Sequence, residues 1–218
     1  MEDSSVKTEQ EKFWEGSFGD AYIDRNNNRE LIAANIAMFA KILNNVSDAK
    51  EIKNVLEFGS NIGLNLKAIR TLLPYVECSA IEINHKAANI LKNDPFFENK
   101  LCVYENAISE FEIQKKYNFV FTKGVLIHIR PDDLPDVYNK IYHASDKYIC
   151  MVEYYNPTPV MITYRGNDNK LFKRDFAGEF MDLYTDISLI DYGFVWHKDN
   201  NFPCDDLTWF LMKKRQTQ

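Results

Sequence analysis

Short apolar runs alternate with helix-patterned segments between residues 54 and 154, and no other feature limits the possible folds of this chain so tightly. The runs are Val55-Leu56-Glu57-Phe58, Cys78 to Ile83, Leu101 to Tyr104, Phe119-Val120-Phe121 and Tyr148 to Tyr154. Between them lie helical patterns at Leu64 to Leu73, Ala87 to Leu91 and Pro131 to Ala144, the last opened by a proline and two aspartates suited to a helix start. Strands spaced by helices imply βαβ units and a parallel sheet covered on both faces. Upstream, Leu31, Ile32, Ile36, Phe39, Ala40 and Leu43 recur at helical spacing over Asn28 to Leu43. Downstream, a helix from about Arg174 to Tyr184 precedes two strand-like runs, Ile187 to Trp196 and Leu207 to Met212. Their polar connection is too short for a crossover helix, so they pair antiparallel. The expected fold is α/β: a single doubly wound, Rossmann-like, seven-stranded sheet, mostly parallel with a C-terminal antiparallel hairpin, and helices on both faces. Residues 1–45 read as a lead-in and helix, and 46–218 as the main domain with an insertion at about 154–180.

Composition narrows the partners. The chain has 218 residues and a net charge of −6, which disfavours a phosphate-backbone partner. Its N-terminus lacks the pattern of a signal peptide, and no window approaches a membrane span, so no membrane association is expected. Cys78, Cys102, Cys150 and Cys204 are scattered, and three lie in strand-like runs. They read as core filler in a reducing cytosol, and the expected location is cytoplasmic. His85, His128, His143 and His197 show no paired ligand spacing, so no metal is expected.

The chemistry is concentrated in the first strand–turn–helix, Val55 to Leu66. Gly59 permits a sharp turn, and Gly63 is expected to let the helix pack close to the strand. Asn61 replaces the middle glycine of a dinucleotide fingerprint, which weakens a nicotinamide oxidoreductase or sugar-nucleotide epimerase reading. Glu57, at the strand end, would repel a pyrophosphate but suit an ammonium or sulfonium cation. S-adenosylmethionine has both cations and no phosphate. Ser60 belongs to the same turn. Glu82-Ile83 ends the second strand about 20 residues on, where an acidic side chain accepts hydrogen bonds from ribose hydroxyls. Asn106-Ala107 follows the third strand, where an amide would read an adenine edge. The fourth strand leads through Thr122 and Lys123 to His128, the run that passes under the methyl group in class I methyltransferases. The Asn/Asp-Pro-Pro-Tyr tetrad of DNA and protein-glutamine methyltransferases is missing there; Asn156-Pro157 follows the fifth strand instead. A small-molecule acceptor is therefore expected, with no nucleic acid.

Longer strings resemble the pseudaminic acid biosynthesis-associated methylases, a small bacterial family. They include Phe13-Trp14, Gly19 to Asn26, Leu56 to Leu66, Glu82 to Asn84, Thr122 to Ile129, Glu153 to Pro159, Tyr164 to Gly166, Leu171 to Glu179, Asp191 to Phe194 and Asp205 to Leu211. The resemblance runs from about residue 8 to residue 214. It implies an S-adenosylmethionine-dependent methyltransferase associated with nonulosonic acid sugars of surface glycans. A methyltransferase for another small molecule and a non-catalytic binding or assembly protein of the same fold are the competing readings.

Methyl transfer requires acceptor, methyl carbon and sulfur in line, and a hydroxyl acceptor benefits from a base. His128 is the base candidate, against a histidine packing at a helix start. Lys123 either lines the crevice or faces solvent. Glu153 and Tyr154 end the fifth strand on the crevice side and complete the candidate catalytic set. Tyr22 and Arg25 either fold over the cofactor, making the lead-in a lid, or pack on the surface. Tyr155, Asn156, Tyr164, Arg165, Lys173, Arg174 and Asp175 mix aromatic and charged groups that suit an anionic sugar ring. This insertion is expected to be the acceptor platform; the alternatives are a lid core with an Arg174–Asp175 ion pair, or a homodimer face.

Overall fold

The structure, a computed structural model, describes residues 7–26 and 28–215. The chain begins with α1 (Glu9–Glu15), α2 (Ser17–Arg25) and α3 (Arg29–Leu43). The alternating part follows as β1 (Asn54–Phe58), α4 (Leu64–Leu72), β2 (Glu77–Ile81), α5 (His85–Lys92), β3 (Leu101–Tyr104), β4 (Tyr117–Lys123), α6 (Leu134–Ala144) and β5 (Ser145–Glu153). Then come β6 (Val160–Tyr164), β7 (Asn167–Lys173), α7 (Phe176–Leu183), β8 (Ile187–Val195) and β9 (Leu207–Lys214). Seven strands form one sheet in the order β3-β2-β1-β4-β5-β9-β8. The first five are parallel, and β9 joins β5 antiparallel, as β8 joins β9. This is the Rossmann-like architecture that the alternation predicts. Strand order reverses between β1 and β4, and open α/β sheets bind ligands at such a switch point, beyond the carboxyl ends of the strands.

Core formation follows the two faces of the sheet. Phe39 and Ile42 of α3 and Leu66 and Ile69 of α4 cover one face against Val55 and Phe121. Leu134, Tyr138 and Ile141 of α6 and Phe176 and Phe180 of α7 cover the other, against Leu56, Val120 and Ile149. α3 therefore belongs to the main core, although it lies within residues 1–45. α6 starts later than expected: Pro131–Asp133 form a 3-10 turn first. Pro135 has no N–H to donate back to Pro131, so α-helical bonding begins only beyond it. Cys78, Cys150 and Cys204 are buried, but Cys102 is exposed, contrary to the core-filler reading. It lies on β3, the edge strand, where one side of the sheet has no neighbour.

The insertion holds an unexpected element. β6 and β7 form a separate two-stranded hairpin whose turn, Arg165-Gly166, has positive φ at both residues. That is the primed-turn geometry a tight hairpin favours, and the basic, aromatic composition of the segment masked it. Among the described residues, no helix is long and apolar enough to cross a membrane.

Candidate active site

The loop after β1 is built from backbone strain that its residue types tolerate. Gly59 (φ +70°) and Ser60 donate their N–H groups to the Ile81 carbonyl at 2.9 and 3.1 Å. A Cβ on Gly59 would lie 2.6 Å from Val125 Cγ2, so the turn accepts no side chain there. Asn61, at the missing glycine's position, is itself left-handed (φ +47°), which asparagine adopts more readily than most residues. Gly63 is also left-handed (φ +75°), but its close neighbour is Leu91 of α5, at 2.5 Å from a built Cβ, rather than the strand. The glycine seats α4 against the next helix.

Glu82 fixes this loop to the second strand. Its Oε2 accepts the Asn61 N–H at 2.6 Å and its Oε1 accepts the Asn84 N–H at 2.8 Å. Burial pushes its carboxyl above the usual range, opposed by these hydrogen bonds. Glu57 departs from expectation. It is fully buried beneath the loop, accepts from Asn65 Nδ2 at 2.6 Å, and leaves Oε2 without a partner. Burial pushes it up to about 8, so at neutral pH it is largely a neutral acid rather than the exposed carboxylate that a cation would meet. Asn65, its partner, is the residue that reaches the cavity.

A cavity of about 420 Å³ opens at the switch point. Gly59, Ser60, Asn61, Glu82, Ile83 and Asn106 line it, as do Tyr22, Lys123 and His128. Gly63, Ala107 and Thr122 support the wall without lining it. Arg25 is exposed, its guanidinium 5.0 Å from the Phe18 ring and 5.5 Å from that of Tyr22. Further lining residues, Trp14, Asn35, Asn65 and Asp205 among them, are brought in by the tertiary structure. Asn35 had a legible signal, being a polar residue on the apolar stripe of α3. Ser60 Oγ and the Oδ1 atoms of Asn35, Asn65 and Asn106 are buried at the cavity without a hydrogen-bond partner among the described residues. Such groups suit a polar ligand.

The insertion residues do not line the cavity. Tyr155 and Arg165 are exposed. Asn156 donates to the Thr158 carbonyl at 2.5 Å. Lys173 Nζ stacks 4.6 Å from the ring of Tyr154, which also stays off the cavity wall. Arg174 pairs with Glu179 (2.6 Å) and not with Asp175, whose carboxylate caps α7 through the Gly178 N–H. Asp175 Oδ1 is taken by the helix cap and Arg174 Nε by Glu179. Tyr164 instead packs its ring 5.0 Å from His128.

His128 follows β4 in a 3-10 turn, Leu126–His128, and is 8% exposed. Its Nδ1 donates to the Lys170 carbonyl at 2.6 Å, which leaves Nε2 as the ring's lone pair. Burial pulls its pKa down to about 4, so the imidazole is neutral across the physiological range. The turn is held from below by Glu153, which is 3% exposed and lies outside the cavity. Glu153 Oε1 accepts the Val125 and Leu126 N–H groups, both at 3.2 Å. Its place is under the turn, as a clamp on the segment that presents His128.

Burial pushes Glu153 up to about 7, above its unfolded value, so the protonated form favours folding. That contribution is complete at acid pH and is lost as pH rises through about 7. Glu153→Gln keeps the accepting oxygen and removes the titration. Relative to wild type, its melting temperature should be higher at pH 8.5 than at pH 5, by several degrees, since roughly 3 kcal/mol is at stake. Parallel pH profiles in thermal melts would refute this.

No protein-family model matches the chain, and no curated protein sequence matches it. Solved structures do. A 1,6-didemethyltoxoflavin-N1-methyltransferase of Burkholderia thailandensis, solved with 1,6-didemethyltoxoflavin and S-adenosylhomocysteine, superposes with a TM-score of 0.68 at 11% identity, over 99% of this chain and 94% of that one. The plantazolicin methyltransferase BpumL, in complex with S-adenosylhomocysteine, gives 0.64 at 12% identity over 95% and 94%. An O-methyltransferase from a polyketide synthase multienzyme of Brevibacillus brevis, also with S-adenosylhomocysteine, gives 0.64 at 13% over 97% and 81%. At these identities the likeness establishes a shared fold.

Proposed function

We propose that this protein is an S-adenosylmethionine-dependent methyltransferase acting on a small-molecule acceptor. The observation that bears most weight is the joining, in one cavity at the switch point, of the Gly59–Gly63 loop, the Glu82 carboxylate and a neutral imidazole. When bound, S-adenosylmethionine supplies an electrophilic methyl carbon on a sulfonium. Glu82 has further lone pairs for ribose hydroxyls beyond the two backbone amides that it accepts. Asn106 would meet the base edge, and Asn65 and Ser60 would receive the polar methionine end. His128 Nε2 takes the proton from an acceptor hydroxyl, while the Lys170 carbonyl keeps Nδ1 protonated and the resulting imidazolium oriented. The fold shared with methyltransferases solved with S-adenosylhomocysteine supports this reading.

The acceptor is read as an anionic sugar of the nonulosonic acid type, on the strength of the sequence resemblance. The cavity wall limits where its charge can sit. Asp132, Asp136 and Asp205 line the wall, Arg130 is paired with Asp133, and Lys123 has no ion pair among the described residues. An anionic acceptor would therefore set its carboxylate against Lys123, with Trp14 and Tyr22 offering ring faces. Product analysis with labelled S-adenosylmethionine and a panel of nonulosonic acids, their precursors and nucleotide-activated forms tests the function. Failure of calorimetry to detect S-adenosylmethionine would favour the non-catalytic reading. Lys123→Met should raise the KM of a carboxylate acceptor about tenfold and that of its methyl ester little, since one charge-assisted hydrogen bond is lost. Equal effects on both would remove the carboxylate from this site.

A further inference from the structure

The β6–β7 hairpin reaches His128 from outside the cavity. Lys170 of β7 accepts the His128 Nδ1–H through its main-chain carbonyl, while its side chain runs to α1. That side chain is 5% exposed, and its Nζ pairs with Glu9 Oε1 at 2.6 Å. The Phe13 ring lies 5.3 Å from the same ammonium. A second bond ties the same two elements: Gln10 Nε2 donates to the Asn169 carbonyl at 3.1 Å. α1 also delivers Trp14, whose ring is 4.6 Å from the imidazole, and Tyr164 of β6 lies 5.0 Å from the same ring. Helix and hairpin thus both pack on one imidazole and are joined to each other by a nearly buried cation.

We propose that the β6–β7 hairpin is the orienting arm of His128 and that Lys170 is its positioning residue, coupling the docking of α1 to the presentation of the imidazole. The tautomer of a neutral imidazole is set by the hydrogen bond that its other nitrogen makes. A carbonyl at Nδ1 therefore keeps the Nε2 lone pair facing the reaction. The Lys170–Glu9 pair lies on the same residue as that carbonyl and fixes it against α1, beside the Gln10–Asn169 bond. A buried ammonium that loses its carboxylate partner is worse placed than a neutral side chain of the same shape. This ordering separates the proposal from simple loss of contact. The inference rests on His128 being the base of the proposed methyltransferase.

The test uses the full chain labelled with nitrogen-15 histidine, whose ring signals report the tautomer of each imidazole without any substrate. Wild type should show His128 protonated at Nδ1 and bare at Nε2. Glu9→Gln, an exposed substitution compatible with folding, should mix the tautomers and lower kcat about tenfold with S-adenosylmethionine affinity unchanged, because the base is misplaced and the cofactor wall is not. Adding Lys170→Met to Glu9→Gln should restore the Nδ1–H signal and bring kcat back to within about threefold of wild type, since a neutral side chain needs no counter-charge. A wild-type His128 protonated at Nε2, or a Glu9→Gln spectrum and kcat identical to wild type, would overturn the proposal. A correct tautomer response in a protein that transfers no methyl group would instead reject the function and leave the positioning role standing.

Discussion

His128→Asn is expected to lower kcat for a hydroxyl acceptor by about 10²–10⁴-fold, the usual contribution of a positioned base. S-adenosylmethionine affinity should stay within about threefold, because the cofactor wall proposed at Gly59–Ile62 and Glu82 is untouched. Asparagine is the informative replacement, since its amide can still donate to the Lys170 carbonyl and preserve the turn. The pH profile carries a second signature. A free histidine would impose an acid limb near its ordinary value of roughly 6.5. Burial pulls His128 down to about 4, so kcat/KM should remain flat on the acid side until near that value. An acid limb at ordinary histidine pKa, or a His128→Asn variant with full activity, would remove the residue from catalysis. An amine acceptor that arrives unprotonated needs no base, so a small effect with amines and a large one with hydroxyls would identify the acceptor chemistry directly.

Glu82→Ala should have the other large effect, and on a different quantity. The substitution leaves the Asn61 and Asn84 amides without their carboxylate and removes the acceptor proposed for ribose hydroxyls. Hydrogen bonds to charged groups are worth about 1.5–3 kcal/mol each, so two lost contacts to a ligand amount to roughly 100-fold or more in cofactor affinity. The melting temperature should also fall, since this side chain adds the Asn61 bond to the two backbone bonds that tie the loop after β1 to Ile81. Calorimetric titration separates the two: a weakened but folded protein with cofactor affinity within threefold of wild type would show that Glu82 serves the loop alone. Asn84 extends the same connection toward the lead-in. Its Nδ2 lies 2.9 Å from Asp20 Oδ1 and 3.2 Å from the Glu15 carbonyl, at the junction of α1 and α2. Damage at Glu82 should therefore be felt in the helices that wall the cavity as well as in the loop.

Reading the sequence alone located the sheet, its antiparallel end, the glycine turn and Glu82, because each is written in a local code. Period-two and period-3.6 patterns, left-handed turn residues and strand-end positions are set by neighbours within one turn or one strand. Glu57 shows the limit of that code. Its place at the end of β1 was legible, but whether the carboxylate faces a ligand or the core depends on how α4 and Asn65 pack over it. The basic, aromatic insertion misled for the same reason. Its composition suits an acceptor platform, yet pairing of β6 with β7 keeps its side chains off the cavity wall and sends a main-chain carbonyl, which no sequence pattern marks, to His128. The lead-in likewise showed helical and aromatic residues without showing what they would touch. The Gln10–Asn169 and Lys170–Glu9 contacts join residues about 160 positions apart. Sequence determined the scaffold and the glycine loop after β1, since short-range sterics and apolar periodicity suffice for them. Only tertiary packing decided which groups are buried, which carboxylate is neutral and which imidazole nitrogen is bare, because desolvation and long-range hydrogen bonding act between segments that the chain itself keeps far apart.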